Sequence, residues 1–271
     1  MDVGWEDLGW ERLAEGVGRR RLPGWDATCG LVVGTEGVLL YDTGSTLREG
    51  AELRAQAEAL LGATGPGEGP AGGGGGGAAV RRVTHIALSH PHFDHVMGTA
   101  AFAGAEVYGA VGVDALLRRE RDALRSDAAR HGVPEDEAAR AADLLVAPTH
   151  LVTGERTLDL GSRQVLLANV GPGHTGHDLV VLVPGSPEVV FCGDLVEESG
   201  EPQAGPDAIP SRWPDALDRL LALGGEDAAY VPGHGAVVDA RFVRAQRDAL
   251  AERFGTGPSG ASASGPDPAA G

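Results

Sequence analysis

Hydrophobic positions in the first sixty residues follow a β-like pattern and then a helical one. Three short runs of alternating or apolar residues, separated by turn residues, predict strands at 12–20, 27–34 and 37–42. Ser45 is a suitable N-cap for a helix over residues 51–61, in which Leu53 and Ala57 share one face. The chain therefore begins with a predicted strand meander that leads into a helix.

The middle of the chain predicts one buried strand and a helical region. Residues 83–88 form an apolar run that continues directly into Ser89 and a histidine-rich turn. Residues 111–145 combine spaced leucines and alanines with many Arg and Glu residues, and Pro134 marks the start of a new helix. We interpret residues 111–145 as a helical insertion near the site that begins after the strand.

Short β-like runs return from residue 149 onward, with Gly and Pro turns between them. They lie at residues 151–153, 156–158, 164–170, 179–183 and 189–192. Residues 213–223 and 240–254 then have helical patterns. Because two β-rich halves flank the helices, we predict an α+β fold in a single catalytic domain, residues 1–254.

Two segments rich in small residues are predicted to be disordered. Residues 62–79 are almost entirely Gly, Ala and Pro, with six consecutive glycines, and we interpret them as a flexible insertion within the domain. Residues 255–271 consist mainly of Gly, Ser, Pro and Ala, which predicts a disordered tail. A glycine-rich phosphate loop is the alternative for the insertion, but the Lys and Ser/Thr of a Walker motif are missing.

Charge and cysteine content narrow the classes of function. The formal net charge of −17 opposes binding to a polyanion, so we expect no nucleic-acid partner. The first ten residues carry Asp2, Glu6 and Asp7 instead of a secretion signal, and no run of 18 apolar residues is present. The only two cysteines form no Cys-x-x-Cys motif. We therefore expect a cytoplasmic protein without a membrane partner, acting on a small molecule, with its oligomeric state left open.

Seven side chains of the types that bind metals occur in four turns. Four of them fall within six residues directly after the run at 83–88: His90, His92, Asp94 and His95. The other three each lie in a glycine-flanked turn at the end of a β-like run: His174, Asp194 and His234. Burying these groups without a cation would cost desolvation energy for little packing gain. The pattern predicts one metal site at a common edge of the sheets.

This order of ligands resembles the signature of the metallo-β-lactamase superfamily, His-x-His-x-Asp-His followed by separated His, Asp and His turns, over residues 27–234. The resemblance implies a four-layer αββα sandwich with the ligands at one edge. It implies a first metal bound by His90, His92 and His174. It implies a second metal bound by Asp94, His95 and His234. Asp194 would then bridge the two ions.

The resemblance also assigns a role to Asp42, which matches a strand-end aspartate that holds ligating groups in orientation. Cys192 does not align with the thiolate ligand of the zinc β-lactamases, because Asp194 occupies that position. We interpret Cys192 as a small buried hydrophobe, with a ligand as the alternative. His85, His131 and His150 lack a supporting pattern and are interpreted as ordinary core or surface histidines.

Three residues are candidate substrate contacts outside the ligand set. Trp25 is either an apolar flap over the site or a packed turn aromatic. His177, together with Asp178, is either a substrate contact or a solvent-facing turn residue. Glu197 stands three residues after Asp194, where zinc β-lactamases often have a lysine that holds the substrate carboxylate. An acidic residue at that position disfavours β-lactam substrates.

The bridging carboxylate is typical of broader hydrolase branches of the family, such as glyoxalase II-like thioesterases and lactonases. We therefore predict cleavage of a thioester, lactone or related ester-like bond by a hydroxide that bridges two Zn²⁺ ions per chain. Asp94 would orient the hydroxide and transfer its proton. Iron or manganese can occupy the same donors. The alternatives are a mononuclear iron persulfide dioxygenase, a β-lactamase-like amide hydrolase and a non-catalytic binding protein.

Overall fold

The computed structural model describes residues 4–63 and 82–255, and within them two mixed β-sheets are flanked by helices. The strands are β1 (Glu11–Ala14), β2 (Val17–Arg21), β3 (Thr28–Val33), β4 (Val38–Tyr41), β5 (His85–Ala87), β6 (Glu106–Ala110), β7 (His150–Val152), β8 (Glu155–Asp159), β9 (Gln164–Asn169), β10 (Leu179–Val183), β11 (Val189–Glu197) and β12 (Ala229–His234). The α-helices are α1 (Leu47–Ala63), α2 (Phe93–Val96), α3 (Val113–Arg119), α4 (Arg121–Arg130), α5 (Glu135–Asp143), α6 (Trp213–Gly224) and α7 (Ala240–Arg253). Short 3-10 helices lie at Glu6–Leu8, Thr99–Ala101 and Pro210–Arg212.

The first sheet has the strand order β1-β2-β3-β4-β5-β6-β7. Its first four strands pair antiparallel, while β4, β5, β6 and β7 pair parallel. Parallel neighbours need a crossover connection, which explains why helices stand between these strands along the chain. The parallel half of the sheet therefore directs the chain that follows β5 toward one edge, where the histidine-rich turn lies.

The second sheet has the order β12-β11-β10-β9-β8 and is antiparallel except for the pair β11 and β12, which α6 connects. Every residue of β10 and β11 is buried. A strand that is buried along its whole length must be covered on both faces of its sheet. One face of the second sheet packs against the first sheet, and the other is covered by helices.

Two hydrophobic cores define the layers. Between the sheets, the rings of Tyr41 and Phe191 lie 5.5 Å apart, and the Tyr41 hydroxyl donates to the carbonyl of Leu179 at 2.9 Å. The same core includes Leu53 of α1. A separate core joins the outer face of the second sheet to α6 and α7, with Trp213 fully buried. This arrangement confirms the α+β fold with two central sheets and outer helices that was predicted from the sequence.

Several element boundaries differ from the sequence predictions. The run at 12–20 is a hairpin of two strands, because the chain turns at Gly16 with a φ of +64°. The strand β6 was not predicted, since its sequence Glu-Val-Tyr-Gly-Ala contains a charge and a glycine. The predicted helical insertion at 111–145 contains three separate helices, and α1 is longer than predicted at both ends.

Parts of the predicted insertion and of the predicted tail lie outside the described residues. The helix α1 continues to Ala63, so residues 62 and 63 are helical, whereas residues 64–79 lie outside the described residues. Within the predicted tail, only Gly255 is described. None of the helices in residues 4–63 and 82–255 has the length and apolar character that a bilayer crossing requires.

Candidate metal centre

The histidine-rich turn lies between the end of β5 and the short helix α2. His92 has an extended backbone (φ −94°, ψ 153°) and caps the N-terminus of α2, which places Asp94 and His95 in the first turn of the helix. His90 precedes this cap and is 1% exposed. The change from extended to helical backbone within six residues lets all four side chains point toward one space.

The other three ligand-type residues come from the second sheet. His174 lies in the loop that follows β9, and His234 is the last residue of β12. Asp194 lies inside β11 rather than in a turn after it, because the strand continues past the bulge at Gly193, where φ is +56°. Gly233 has no room for a side chain, since a Cβ there would lie 1.9 Å from Oδ1 of Asp194.

The structure brings all seven residues together as two adjoining sets. The first set offers ligand atoms within 4.8 Å of one another and comprises His90, His92, His174 and Asp194. The second set meets the same limit and comprises Asp94, His95 and His234. Nε2 of His90 and Nε2 of His174 lie 3.0 and 3.1 Å from Nδ1 of His92. The first set is therefore a close group of three imidazoles beside one carboxylate.

The Asp194 carboxylate lies between the two sets. Its oxygens are 3.6 and 3.5 Å from Nε2 of His90 and His174 in the first set. They are 3.2 and 3.4 Å from Nε2 of His95 and His234 in the second set. One carboxylate thus faces four imidazoles, two from each set, which is the arrangement expected of a bridging ligand.

Each of the five histidines has a hydrogen-bond partner on its outer nitrogen, the ring nitrogen that points away from the cluster. The pairs are His90 Nδ1 with Ser89 Oγ at 2.8 Å, His92 Nε2 with Asp207 at 3.0 Å, His95 Nδ1 with Asp42 at 2.9 Å, His174 Nδ1 with the Gln203 carbonyl at 3.1 Å, and His234 Nδ1 with the Trp25 carbonyl at 2.7 Å. An imidazole that donates its outer N–H keeps the inner nitrogen free of a proton, as a metal ligand requires. The outer partners therefore set both the tautomer and the orientation of the rings.

A family model described as the Metallo-beta-lactamase superfamily matches residues 22–234. The chain belongs to this superfamily. The metallo-beta-lactamase from Pontibacter korlensis has a TM-score of 0.65 and 20% identity, covering 89% of this chain and 97% of that one. The metallo-beta-lactamase FIM-1 from Pseudomonas aeruginosa, in a mono-zinc form, has a TM-score of 0.63 and 19% identity, covering 90% and 95%. At these identities the solved structures show a shared fold.

A curated relative extends the comparison to sequence. Metallo-beta-lactamase domain-containing protein 1 of Xenopus laevis is 29% identical over 157 residues, which is 56% of this chain and 54% of that protein. The match thus spans about half the length of that relative. Membership of the metallo-β-lactamase superfamily, together with the His/Asp cluster, supports a metal-dependent hydrolase.

In this cluster the Asp194 carboxylate raises the pKa of His95 well above its usual range and that of His234 to about 11, a positive charge that a bound metal ion would replace. Burial lowers the pKa of His174 to about 4 and that of His90 well below its usual range, so both are neutral donors. Burial opposes ionisation of Asp194, but the charges of His95 and His234 outweigh it and lower its pKa. Nε2 of His95 and Oδ1 of Asp194 are buried without a hydrogen-bond partner among the described residues. Such atoms are costly unless an ion satisfies them, so the donor set fits a metal.

Asp42 lies under the second set of ligands. It is 1% exposed, and its Oδ1 accepts the Ser89 backbone N–H at 2.7 Å while Oδ2 accepts Nδ1–H of His95 at 2.9 Å. Its backbone is in the left-handed region with φ of +59°, a conformation that Asp and Asn adopt more readily than other side chains. Asp42 therefore joins the end of β5 to the helix α2.

Trp25 contributes to the site through its backbone and its packing. Its carbonyl accepts from His234, and its ring packs edge-on against Phe93 at 5.5 Å and against His131 at 5.1 Å. His131, interpreted from the sequence as an ordinary histidine, thus belongs to an aromatic group that connects α4 to α2. The ring of Trp25 is partly buried in this group.

His177 and Asp178 differ in their surroundings. Nδ1 of His177 lies 2.9 Å from the carbonyl of Val111, the residue directly after β6. Asp178 is 3% exposed and accepts hydrogen bonds from the backbone N–H and the hydroxyl of Thr175. Burial raises the pKa of Asp178 to about 7 despite those bonds. Asp178 thus organises the loop that carries His174 rather than facing solvent.

Glu197 lies closer to the ligands than the sequence indicated. It is the last residue of β11, is paired in register with His234, and is 7% exposed. Its carboxylate forms a group with Asp194 and His234 in which all ligand atoms lie within 4.8 Å. Burial and the charge of Asp194 raise the pKa of Glu197 to about 8. The next residue, Glu198, is exposed and accepts the backbone N–H of Ala236.

Sequence reasoning missed two outer partners that come from the segment between β11 and α6. Asp207 binds Nε2 of His92, which turns Nδ1 of that ring toward the first set, and the Gln203 carbonyl binds His174. A single aspartate in a polar loop and a backbone carbonyl carry no motif. Apart from Asp42, only the ligands themselves followed a pattern that was visible in the sequence.

Proposed function

We propose that the protein is a hydrolase that activates water at a dinuclear metal centre to cleave an ester-like bond in a small molecule. The observation that carries this proposal is the position of the Asp194 carboxylate, between two complete ligand sets and within 3.6 Å of four imidazole nitrogens. A mononuclear oxygenase would need the first set alone. The intact second set favours hydrolysis over the dioxygenase alternative.

The donors favour zinc in the first position, because three imidazoles and a carboxylate form a suitable four-donor set. His90, His92 and His174 would hold that ion. The second position would be held by Asp94, His95 and His234, with Asp194 shared, and zinc, iron or manganese suits its mixed donors. Two metal ions bound in this way would supply hydroxide near neutral pH and would polarise a scissile carbonyl.

Asp94 is placed to handle the proton of the attacking water. It is 7% exposed, and its Oδ2 lies 3.4 Å from Nε2 of His234 and 3.5 Å from Nε2 of His95. Burial alone would raise the pKa of Asp94, but the neighbouring positive charge of these histidines lowers it. An ionised carboxylate in this position accepts a proton from water and returns it to the leaving group.

The substrate class follows from two positions: Asp194 stands where zinc β-lactamases have a thiolate ligand, and Glu197 stands where they often have a lysine. The nearby cysteine does not supply the missing thiolate. Cys192 is 1% exposed, lies in the outer core of the second sheet and donates its S–H to the Val190 carbonyl, and burial raises the pKa of its thiol. It is therefore a packing residue. Glu197 stands where a lysine would bind the carboxylate of a β-lactam, so the cation that would hold an anionic β-lactam is replaced by an acid, and a thioester or lactone is favoured. The formal charge of −17 likewise disfavours nucleic acid as a partner.

Metal analysis and a substrate panel test this proposal. Metal-free protein titrated with Zn²⁺ should bind two ions per chain, and the loaded protein should hydrolyse thioesters or lactones faster than phosphodiesters or β-lactams. The variant His90→Ala should lose the first ion, while His150→Ala, an imidazole near Glu106 and outside the cluster, should bind like the wild type. One iron per chain with oxygen-dependent activity would replace the proposal with the dioxygenase.

A further inference from the structure

Glu197 carries a buried carboxylate that the proposed hydrolytic mechanism does not use. Within the described parts of the chain, this carboxylate makes no hydrogen bond or ion pair. Its backbone is held independently, because the Glu197 N–H donates to Gln246 Oε1 at 3.0 Å, and Gln246 also donates to the Leu195 carbonyl at 2.8 Å. The end of β11 is thus positioned by its main chain and by α7. The side chain itself has no structural partner that would explain its burial.

The position of the carboxylate is next to the second ligand set. Asp194, Glu197 and His234 offer three ligand atoms within 4.8 Å of one another, and His234 also belongs to the group with Asp94 and His95. Glu197 thus shares the neighbours Asp194 and His234 with the ligand cluster, and it would add a third carboxylate to the two carboxylates and two imidazoles assigned to the second position. The first position has three imidazoles and one carboxylate. The two positions differ in charge, in donor type and in the number of ligands available.

A cavity of about 590 Å³ lies on the outside of the second sheet, between α7 and the segment after β11. Glu197 lines it together with Glu201 and Glu252, while Arg253 is the basic residue on its wall. None of the seven ligand residues lines this cavity, so it lies beside the metal centre, and Glu197 borders both.

We propose that Glu197 is an additional ligand of the second metal ion and that it increases the affinity of that position for Mn²⁺ relative to Zn²⁺. Zinc in proteins is usually four-coordinate, and Asp94, His95, His234 and Asp194 already supply four donors. Oxygen-rich sets with more ligands suit manganese. A fifth donor that is a carboxylate therefore benefits Mn²⁺ more than Zn²⁺. This inference rests on the proposed dinuclear centre.

Measurements of metal affinity distinguish a role of Glu197 as a metal ligand from a purely structural role. Metal-free wild type, Glu197→Gln and Glu197→Asp would each receive one equivalent of Zn²⁺ and then be titrated with Mn²⁺, with free Mn²⁺ measured by electron paramagnetic resonance. Total Zn²⁺ binding would be measured in parallel by competition with a chelator. Glu201→Gln is the matched control, because it removes an exposed acid from the same cavity without touching the cluster.

The wild type should bind one Mn²⁺ and, in the parallel titration, two Zn²⁺. Glu197→Gln should weaken the second Mn²⁺ site at least about tenfold and the second Zn²⁺ site less, since one carboxylate ligand of several is lost. Glu197→Asp should also weaken Mn²⁺, because its carboxylate is one methylene shorter, and Glu201→Gln should match the wild type. Circular dichroism of the metal-free proteins checks their folding, and the visible absorption of Co²⁺-loaded wild type gives a separate measure of five-coordination at the second position.

Two outcomes overturn the proposal in distinguishable ways. If Glu197→Gln binds Mn²⁺ and Zn²⁺ as the wild type does, or if the Co²⁺ spectrum shows only four-coordinate sites, Glu197 is not a ligand and the dinuclear hydrolase stands. If the wild type binds only one ion in every titration, both the Glu197 assignment and the dinuclear centre are wrong.

Discussion

Replacement of Asp42 by asparagine tests how the outer partners control the metal centre. The carboxylate accepts two hydrogen bonds, from the Ser89 backbone at 2.7 Å and from His95 Nδ1 at 2.9 Å. The amide of Asn has a single acceptor oxygen. Because the Ser89 N–H can only donate, it keeps that oxygen, and the amide N–H₂ then faces His95. Nδ1 of His95 must become an acceptor, which moves the ring proton to Nε2, the nitrogen that faces Asp194.

The wrong tautomer should weaken the second metal site selectively. Loss of an outer partner usually costs 10 to 100-fold in metal affinity, or about 1.4 to 2.7 kcal/mol. We expect a loss of that size for the second Zn²⁺ in Asp42→Asn and little change for the first, since Asp42 contacts no ligand of the first set. The fold should be retained because Asn tolerates the φ of +59° and keeps the bond to Ser89.

Competition between the protein and a chromophoric chelator for Zn²⁺ resolves the two binding steps. Asp143→Asn, which removes an exposed acid at the end of α5, is the control for the change in charge. Asp42→Ala should lose both hydrogen bonds and strain the left-handed backbone, so its unfolding midpoint should fall below that of Asp42→Asn. Wild-type affinity for the second Zn²⁺ in Asp42→Asn would refute the tautomer argument.

Three further variants probe the rest of the site. Asp194→Asn should reduce turnover by more than about 100-fold and lower the affinity for the second ion, because it removes charge from a position that faces both sets. Full activity with two bound ions would contradict the bridging role. Asp207→Asn should lower the affinity for the first Zn²⁺ by no more than about tenfold, because its hydrogen bond to His92 is partly exposed to solvent. An unchanged affinity in chelator competition would contradict this expectation. Asp178 has a pKa of about 7 when folded and an ordinary value near 3.8 when unfolded, so its contribution to stability is complete below about pH 4 and is lost as the pH rises to about 7. Asp178→Asn should therefore lose less stability than the wild type as the pH rises between those values, as measured by urea unfolding. If the free energies of unfolding of the two proteins changed in parallel with pH, Asp178 would not titrate in that range.

The order of strands and helices could be predicted wherever the local pattern was strong. Buried strands such as β10 have continuous apolar sequences, and the helices α6 and α7 follow regular spacing. The strand β6 escaped prediction because its glycine and charged residue are tolerated only beside the neighbouring strands β5 and β7. The bulge that extends β11 past Gly193 likewise depends on pairing with β12, which no local pattern reports.

The amino-acid sequence by itself determined the chemical types of the ligands and the local geometry of the first four. His92 and the residues of α2 are neighbours along the chain, so a strand end followed by a helical turn is enough to bring them together. The glycines beside His174, Asp194 and His234 also showed where the backbone would turn or approach closely. These features depend on residue identity and short spacing, which a sequence displays directly.

Only the tertiary structure decided how the two sets meet and which groups support them. The carbonyl of Trp25 lies 209 positions from its partner His234, and Asp207 lies 115 positions from His92. The burial of Glu197 beside Asp194 follows from the parallel register of β11 and β12. Backbone carbonyls are the same in every residue, and a lone carboxylate has no signature. Their partners are therefore chosen by the packing of distant segments, and a one-dimensional pattern does not contain that packing.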